Sequence, residues 1–312
     1  MNELVNGVKY AVGVELCEDV VSFALVSEIG DILFSDKLQL SKNATREVIL
    51  SILHTSIHTA LKEAGKLDKP VSGIGIGTPG IVFNGVVLGG AGNLNGWKNI
   101  FLGSVFSKAF DLPVYVNNDV NVKGLAETAY GAARGCSDVL FLTVDTGIEG
   151  AVLIDGKLFG GYRNHGTKLG HITINQNGVD CTCGGRGCLD AYASIKALRH
   201  QYMLKTGRKE NLVDEHCIWK RYNKGEEAAV QCISDHIRYL GQGIASLINI
   251  FAPQKVVVGG GISKADRFYV ELIQKITFDF AMSDCAANTE IMAAMLGNQA
   301  GILGAASLVF NS

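Results

Sequence analysis

The stretch GHITINQNGVDCTCGGRGCLD, residues 170–190, decides how this chain is read. It places three of the eight cysteines, Cys181, Cys183 and Cys188, within eight residues, and nine residues separate His171 from the first of them. Three readings compete: a disulfide knot, a metal site, and a glycine-rich surface loop whose thiols are incidental. A bridge between Cys181 and Cys183 would close under strain across one residue. The opening MNELVNGVKY has no basic n-region followed by an apolar core, so reduced thiols are the expectation. Cys-x-Cys-x4-Cys with a nearby histidine, by contrast, can wrap a tetrahedral Zn2+. Four protein ligands leave no position for a metal-activated water, so such a site is expected to be structural. The other cysteines (Cys17, Cys136, Cys217, Cys232 and Cys285) are scattered among apolar or helical contexts and imply no framework.

At 312 residues, with 47% hydrophobic and 19% charged residues, the chain has material for two cores. A formal net charge of −2 without clustered Lys and Arg argues against a nucleic-acid-binding surface. No apolar run reaches the roughly 18 residues that cross a membrane, and a cytoplasmic protein is expected.

Outward from the cysteine loop, the pattern is that of a duplication. VKYAVGVEL, VVSFALVSE and GDILFSDKLQL alternate as an antiparallel meander, followed by an amphipathic helix from Thr45 to Ala64 that is expected to stop at Gly65. The strand VSGIGIG leads to Thr78-Pro79-Gly80, Asn84-Gly85 marks a hairpin, and VYVNN precedes a helix over 119–133. DVLFLTVDT, IEGAVLID and KLFGG then form a second meander, GHITIN a further strand, Glu226 to Phe251 a long helix, and KVVVGGGIS a buried strand entering a glycine turn. TEIMAAM is the last strand and Ala300 to Phe310 the closing helix. The expected boundary lies near Asn117: a small α/β domain over 1–117 with residues 300–312 packing back on it, and a larger α/β domain over 118–299 carrying the loop 171–188.

GIGIGTPG, Asn93-Leu94-Asn95-Gly96-Trp97, NNDVN, DTGIEG, the Gly-His before Cys-x-Cys-Gly-x-x-Gly-Cys-Leu, and VVVGGGIS together resemble the ROK group of repressors, open reading frames and kinases. The match runs nearly end to end. The resemblance implies an α/β, two-domain actin-like (ribonuclease H-like) sugar-kinase fold with a structural zinc loop and a sugar cleft between the domains. It also implies Zn2+ on His171, Cys181, Cys183 and Cys188, and sugar contacts from Asn93, Asn118, Asp119, His171 and Asp190. Asp190 stands where most relatives have Glu. In the family's kinases the residue at Asp119 is the base that takes the proton of the attacking sugar hydroxyl. Read without the family, Asp119 is a helix N-cap and Asn93 an ordinary turn former.

The nucleotide elements depart from the kinase pattern. Where kinases have Asp-x-Gly-Gly-Thr, this chain has Glu15-Leu16-Cys17-Glu18-Asp19; the second loop reads Asp145-Thr146-Gly147-Ile148-Glu149-Gly150-Ala151. A carboxylate about 4 Å from a phosphate costs on the order of 4 kcal/mol at an effective dielectric near 20. Glu15, Thr146, Gly147 and Gly259-Gly260-Gly261 remain as candidate nucleotide contacts, although a glycine turn after a strand also serves folding alone. Lys168 replaces a sugar-binding Glu; either it turns outward or the ligand is acidic or phosphorylated. The expectation is a sugar-sensing, regulator-like domain or degenerate kinase without a DNA-binding part, the alternative being an Mg-ATP-dependent hexose or N-acylhexosamine kinase. Its partner would be a small-molecule sugar, with no membrane and no direct nucleic-acid contact, and the resemblance implies a homodimer or homotetramer.

Overall fold

The computed structural model of the chain describes residues 7–92, 94–208, 214–261 and 268–312. The chain divides into two compact units: Met1–Gly135 with Gly160–Gly166 and Leu296–Ser312, and Cys136–Phe159 with Thr167–Met295. The partition therefore falls at Gly135 rather than near Asn117. The helix Asp119–Ala129 packs against the C-terminal helix Ala300–Phe310, and that contact holds it in the first unit. Among the described residues, no helix is long and apolar enough to cross a membrane.

The first unit contains β1 (Tyr10–Leu16), β2 (Val20–Ser27), β3 (Ile32–Gln39), β4 (Val71–Thr78), the hairpin β5 (Ile81–Phe83) and β6 (Val86–Gly89), and β7 (Val114–Asn118). The second contains β8 (Val139–Val144), β9 (Ile148–Ile154), β10 (Lys157–Leu158), β11 (Lys255–Gly259) and β12 (Glu290–Ala293). The main sheets run β3-β2-β1-β4-β7 and β10-β9-β8-β11-β12. In each, a three-stranded antiparallel meander contributes its first strand to a parallel trio, β1-β4-β7 or β8-β11-β12. The duplication expected from the sequence is thus one topology used twice.

The central strands are buried on both faces: β11 carries an unbroken Val256–Val258 run, and β1 alternates valines with small Ala11 and Gly13. In the first unit the C-terminal helix lies directly on the sheet. A Cβ at Gly75 would stand 1.7 Å from the Ala305 carbonyl oxygen, so only glycine admits that backbone. In the second unit, Ile233, Ile237, Leu240, Ile244 and Ile248 line the buried face of the helix Glu227–Phe251 at steps of three and four.

Three local expectations are corrected. GHITIN is no strand: it is a 3-10 turn over Leu169–His171 and then a single bridge, Thr173 to Cys188. Its backbone bonds go to the cysteine loop instead, Ile174 N–H to Gly187 O and Leu189 N–H to Ile172 O. The first helix runs through Gly65 to Lys66, and the helix expected over 119–133 ends at Ala129, where the buried Glu127 carboxylate accepts the N–H groups of Ala132 and Leu296.

Candidate functional site

Parallel strands end side by side, and their carboxyl ends are where open α/β sheets bind ligands. In the first unit β1 is paired with β4 and β4 with β7, so Glu15, Gly77–Thr78 and Asn117–Asn118 stand in one row. Thr78 is fully buried and accepts a hydrogen bond from Trp97 Nε1 at 2.8 Å. Asn118, rather than Asp119, is the N-cap of the following helix: its Oδ1 accepts from Val120 N and Asn121 N. Its Nδ2 donates to Gly80 O at 3.0 Å and to Asp119 Oδ1 at 2.9 Å. Asn118 therefore fixes where the Asp119 carboxylate points. Asn93 lies outside the described residues.

Glu15 does not face an open space. Its carboxylate is buried against the C-terminal helix, where a Cβ at Gly301 would come within 1.9 Å of it, and it pairs with Lys123 Nζ at 3.0 Å. Lys123 is one helical turn beyond Asp119, which turns both side chains to the same side. Burial raises the pKa of Asp119; the Lys123 ammonium pulls it back down and the Glu15 carboxylate pushes it up again. Lys123 itself is held protonated above the ordinary lysine range, because Glu15 and Asp119 outweigh its desolvation. Burial and then the neighbouring Glu15 push the Cys17 thiol up to about 12, so it is a neutral neighbour. Sequence reasoning missed Lys123, although its i+4 spacing from Asp119 is visible in the chain. Glu18 and Asp19 are exposed in the turn after β1.

In the second unit, His171, Cys181, Cys183 and Cys188 converge, their ligand atoms all within 4.8 Å of one another. Cys183 Sγ and Cys188 Sγ are 3.7 Å apart, as are Cys181 Sγ and His171 Nδ1. Tetrahedral Zn2+ with Zn–S of about 2.3 Å sets its sulfurs about 3.8 Å apart, whereas a disulfide needs about 2.05 Å. The donor set and its spacing fit a metal and exclude a bridge between these sulfurs. Gly185 N–H donates to Cys183 Sγ at 3.4 Å and lowers that thiol's pKa. With Nδ1 turned to the cluster, the rest of the exposed His171 ring faces outward.

Just past Cys188, Asp190 Oδ1 accepts the Ile148 N–H at 2.6 Å, tying the cysteine loop to the β8–β9 turn that carries Thr146 and Gly147. Asp190→Ala is expected to leave that buried N–H without its acceptor, cost about 1–2 kcal/mol, and lower the thermal midpoint by a few degrees in a melt. Asp145 is committed internally as well: Oδ1 accepts from Gly261 N at 2.9 Å and Oδ2 from Thr143 Oγ1 at 2.8 Å. An internal carboxylate thus already occupies the backbone donor that the Gly259–Gly261 turn would offer a phosphate. Glu149 and Lys168 are exposed, Lys168 at the start of the 3-10 turn that leads to His171.

The ROK family model matches residues 11–312. The xylose repressor of Caldicellulosiruptor bescii is 29% identical over 314 residues, covering 96% of this chain and 78% of the repressor. The glucokinase of Thermotoga maritima is 33% identical over 314 residues, covering 96% of each. The crystal structure of the ROK hexokinase from Thermus thermophilus has the same fold, with a TM-score of 0.85 at 30% identity over 97% of this chain and 100% of the hexokinase. The relatives thus include both xylose repressors and sugar kinases. From β1 to its last residue, the chain belongs to the ROK family.

Proposed function

We propose that this protein binds a sugar without phosphorylating it, as a ROK-family sensor or degenerate kinase of the cytoplasm. The Glu15–Lys123 ion pair beside Asp119 carries the reading. Phosphoryl transfer from ATP relies on divalent cations to neutralise the developing charge. Here a tethered ammonium already answers the carboxylate at the end of β1, and a Mg-nucleotide would have to displace it from a buried partner. The Asp145 carboxylate on Gly261 N–H opposes a phosphate at the glycine turn in the same way. These residues do not fit Mg-ATP.

In the first unit, Asp119, positioned by Asn118, offers hydroxyl-binding chemistry; the second unit, taken by itself, offers His171 and Asp190. Zn2+ on His171, Cys181, Cys183 and Cys188 would supply structural rigidity; with four protein ligands it supplies no reactive water. One observation favours a kinase instead: a desolvated Asp119 with a raised pKa is a stronger base for a sugar hydroxyl.

Thermal melts and ADP release decide between them. A ligand that binds only the native state raises the midpoint. Glucose, xylose or N-acetylmannosamine is expected to raise it, Mg-ATP to leave it unchanged, and no sugar to provoke ADP release. ATP turnover that disappears in Asp119→Asn would establish the kinase.

A further inference from the structure

A cavity of about 640 Å3 borders the His171 and Asp190 side chains of the second unit. That volume lies in the range of about 300–1,000 Å3 typical of drug-sized ligands and exceeds what one pyranose ring fills. Its lining continues from Asp190 through Ser194 along the helix Ile195–Thr206, where Lys196, His200 and Leu204 recur at every fourth position. Eight residues of helix span about 12 Å, so the cavity is an elongated trough.

The facing wall is the cysteine loop from Val179 to Thr182. Leu204 is 67% exposed and Val179 51% exposed, two apolar side chains from separate elements left uncovered on one cavity. Single exposed apolar residues are ordinary; two lining the same trough offer a surface to the apolar face of a ring. Around them Lys196, His200, Gln201 and Thr182 bring donors suited to hydroxyls. Asp180 on the same wall is already paired with Arg186 at 2.9 Å, so its charge is answered.

We propose that this trough is a second sugar subsite and that the ligand is a two-ring glycoside, a disaccharide or an aryl glycoside. The first ring meets His171 and Asp190. The second lies along the helix Ile195–Thr206 between Val179 and Leu204, its polar edge on Lys196, His200 and Gln201. The assignment rests on the sugar-binding reading above and adds to it the size of the ligand. It also gives the cysteine loop a further task, since four ligands held at one point would fix the wall that carries Val179.

Isothermal titration of the full chain with glucose and xylose, then with maltose, cellobiose, xylobiose and the p-nitrophenyl glucosides, tests it. Burial of about 55 Å2 of apolar surface corresponds to about tenfold in affinity. At least one two-ring probe is expected to bind about tenfold more tightly than its single-ring parent. Leu204→Asp, on an exposed position, is expected to abolish that gain while leaving the single-ring affinity within about twofold. Single rings binding as well as or better than every two-ring probe would overturn the subsite and leave the sugar-binding reading standing. A gain that survives Leu204→Asp would also overturn it. Absence of binding by any sugar, with a folded protein confirmed by its melt, would overturn the sugar-binding reading and the subsite with it.

Discussion

A chelator strong enough to strip Zn2+ is expected to release about one metal per chain and to lower the thermal midpoint by roughly 10–20 °C. The size follows from what the loop supports. Cys188 and Leu189 are buried in the second unit's core, Leu189 packs over Gly243, and Thr173 bridges to Cys188. Between the first and last ligands the loop has only turns, isolated bridges and a few backbone bonds such as Cys181 N–H to Gly185 O and Gly187 N–H to Val179 O, so a metal on the four ligand atoms, which lie within 4.8 Å of one another, would be its strongest cross-link. Structural zinc contributes about 10–16 kcal/mol in small zinc-binding peptides. Even about 5 kcal/mol of that, at about 2–4 °C per kcal/mol for a domain of this size, gives the stated fall. Cys188→Ser should reproduce the effect, while Cys285→Ser, half-buried elsewhere, should not. Metal release is read with a colorimetric zinc indicator and the midpoint by calorimetry. A metal-free protein that melts at the same temperature would sink the claim.

The sequence discloses those features that rest on short-range pattern. VVV at β11 and the VKYAVGVEL run at β1 announce buried strands, and the repeated meander announces the duplication, because strand burial is written in consecutive residues. The four residues that converge are equally visible, since Cys-x-Cys-x4-Cys and a histidine separated from it by nine residues are local pattern. GHITIN misleads because its alternation satisfies a strand while its hydrogen bonds go to Gly187 and Leu189, residues whose positions depend on the cysteine loop's own folding. The Asp145–Gly261 bond joins residues 116 apart, and nothing near either one marks it. Glu15 reads as a nucleotide or metal contact in the sequence because its partner, Lys123, arrives from a different strand–helix unit. The acids of the two altered loops signal a departure from the kinase pattern; for Asp145, only the structure supplies the distant partner, Gly261 N–H.

Lys123→Met is expected to destabilise the first unit by about 3 kcal/mol at pH 7.5, because removing one member of a buried pair strands the other charge. The Glu15 side chain is 7% exposed and Lys123 28%, so solvent screens the stranded carboxylate poorly. In the parent protein the folded-state pKa of Lys123 lies above its ordinary value. The lysine's contribution is therefore present at pH 7.5 and is lost only as pH climbs from about 10.4, the unfolded lysine value, through the higher folded pKa. The variant should behave in the opposite pH range. Without the ammonium, Asp119 loses the neighbour that lowers its pKa and keeps burial and the Glu15 carboxylate, both of which raise it. Ionisation of Asp119 then opposes folding, so the variant loses stability as pH rises through the carboxylate range and regains it near pH 4–5. Glu15→Gln in the same background should restore most of the loss at pH 7.5, since it removes the stranded charge rather than replacing its partner. Urea melts across pH 4–9 read both effects. A Lys123→Met protein within about 0.5 kcal/mol of the parent at pH 7.5, or one whose deficit is the same at pH 4.5, would mean that the ammonium does not hold these carboxylates. The case against a Mg-nucleotide at this site would then lose its main support.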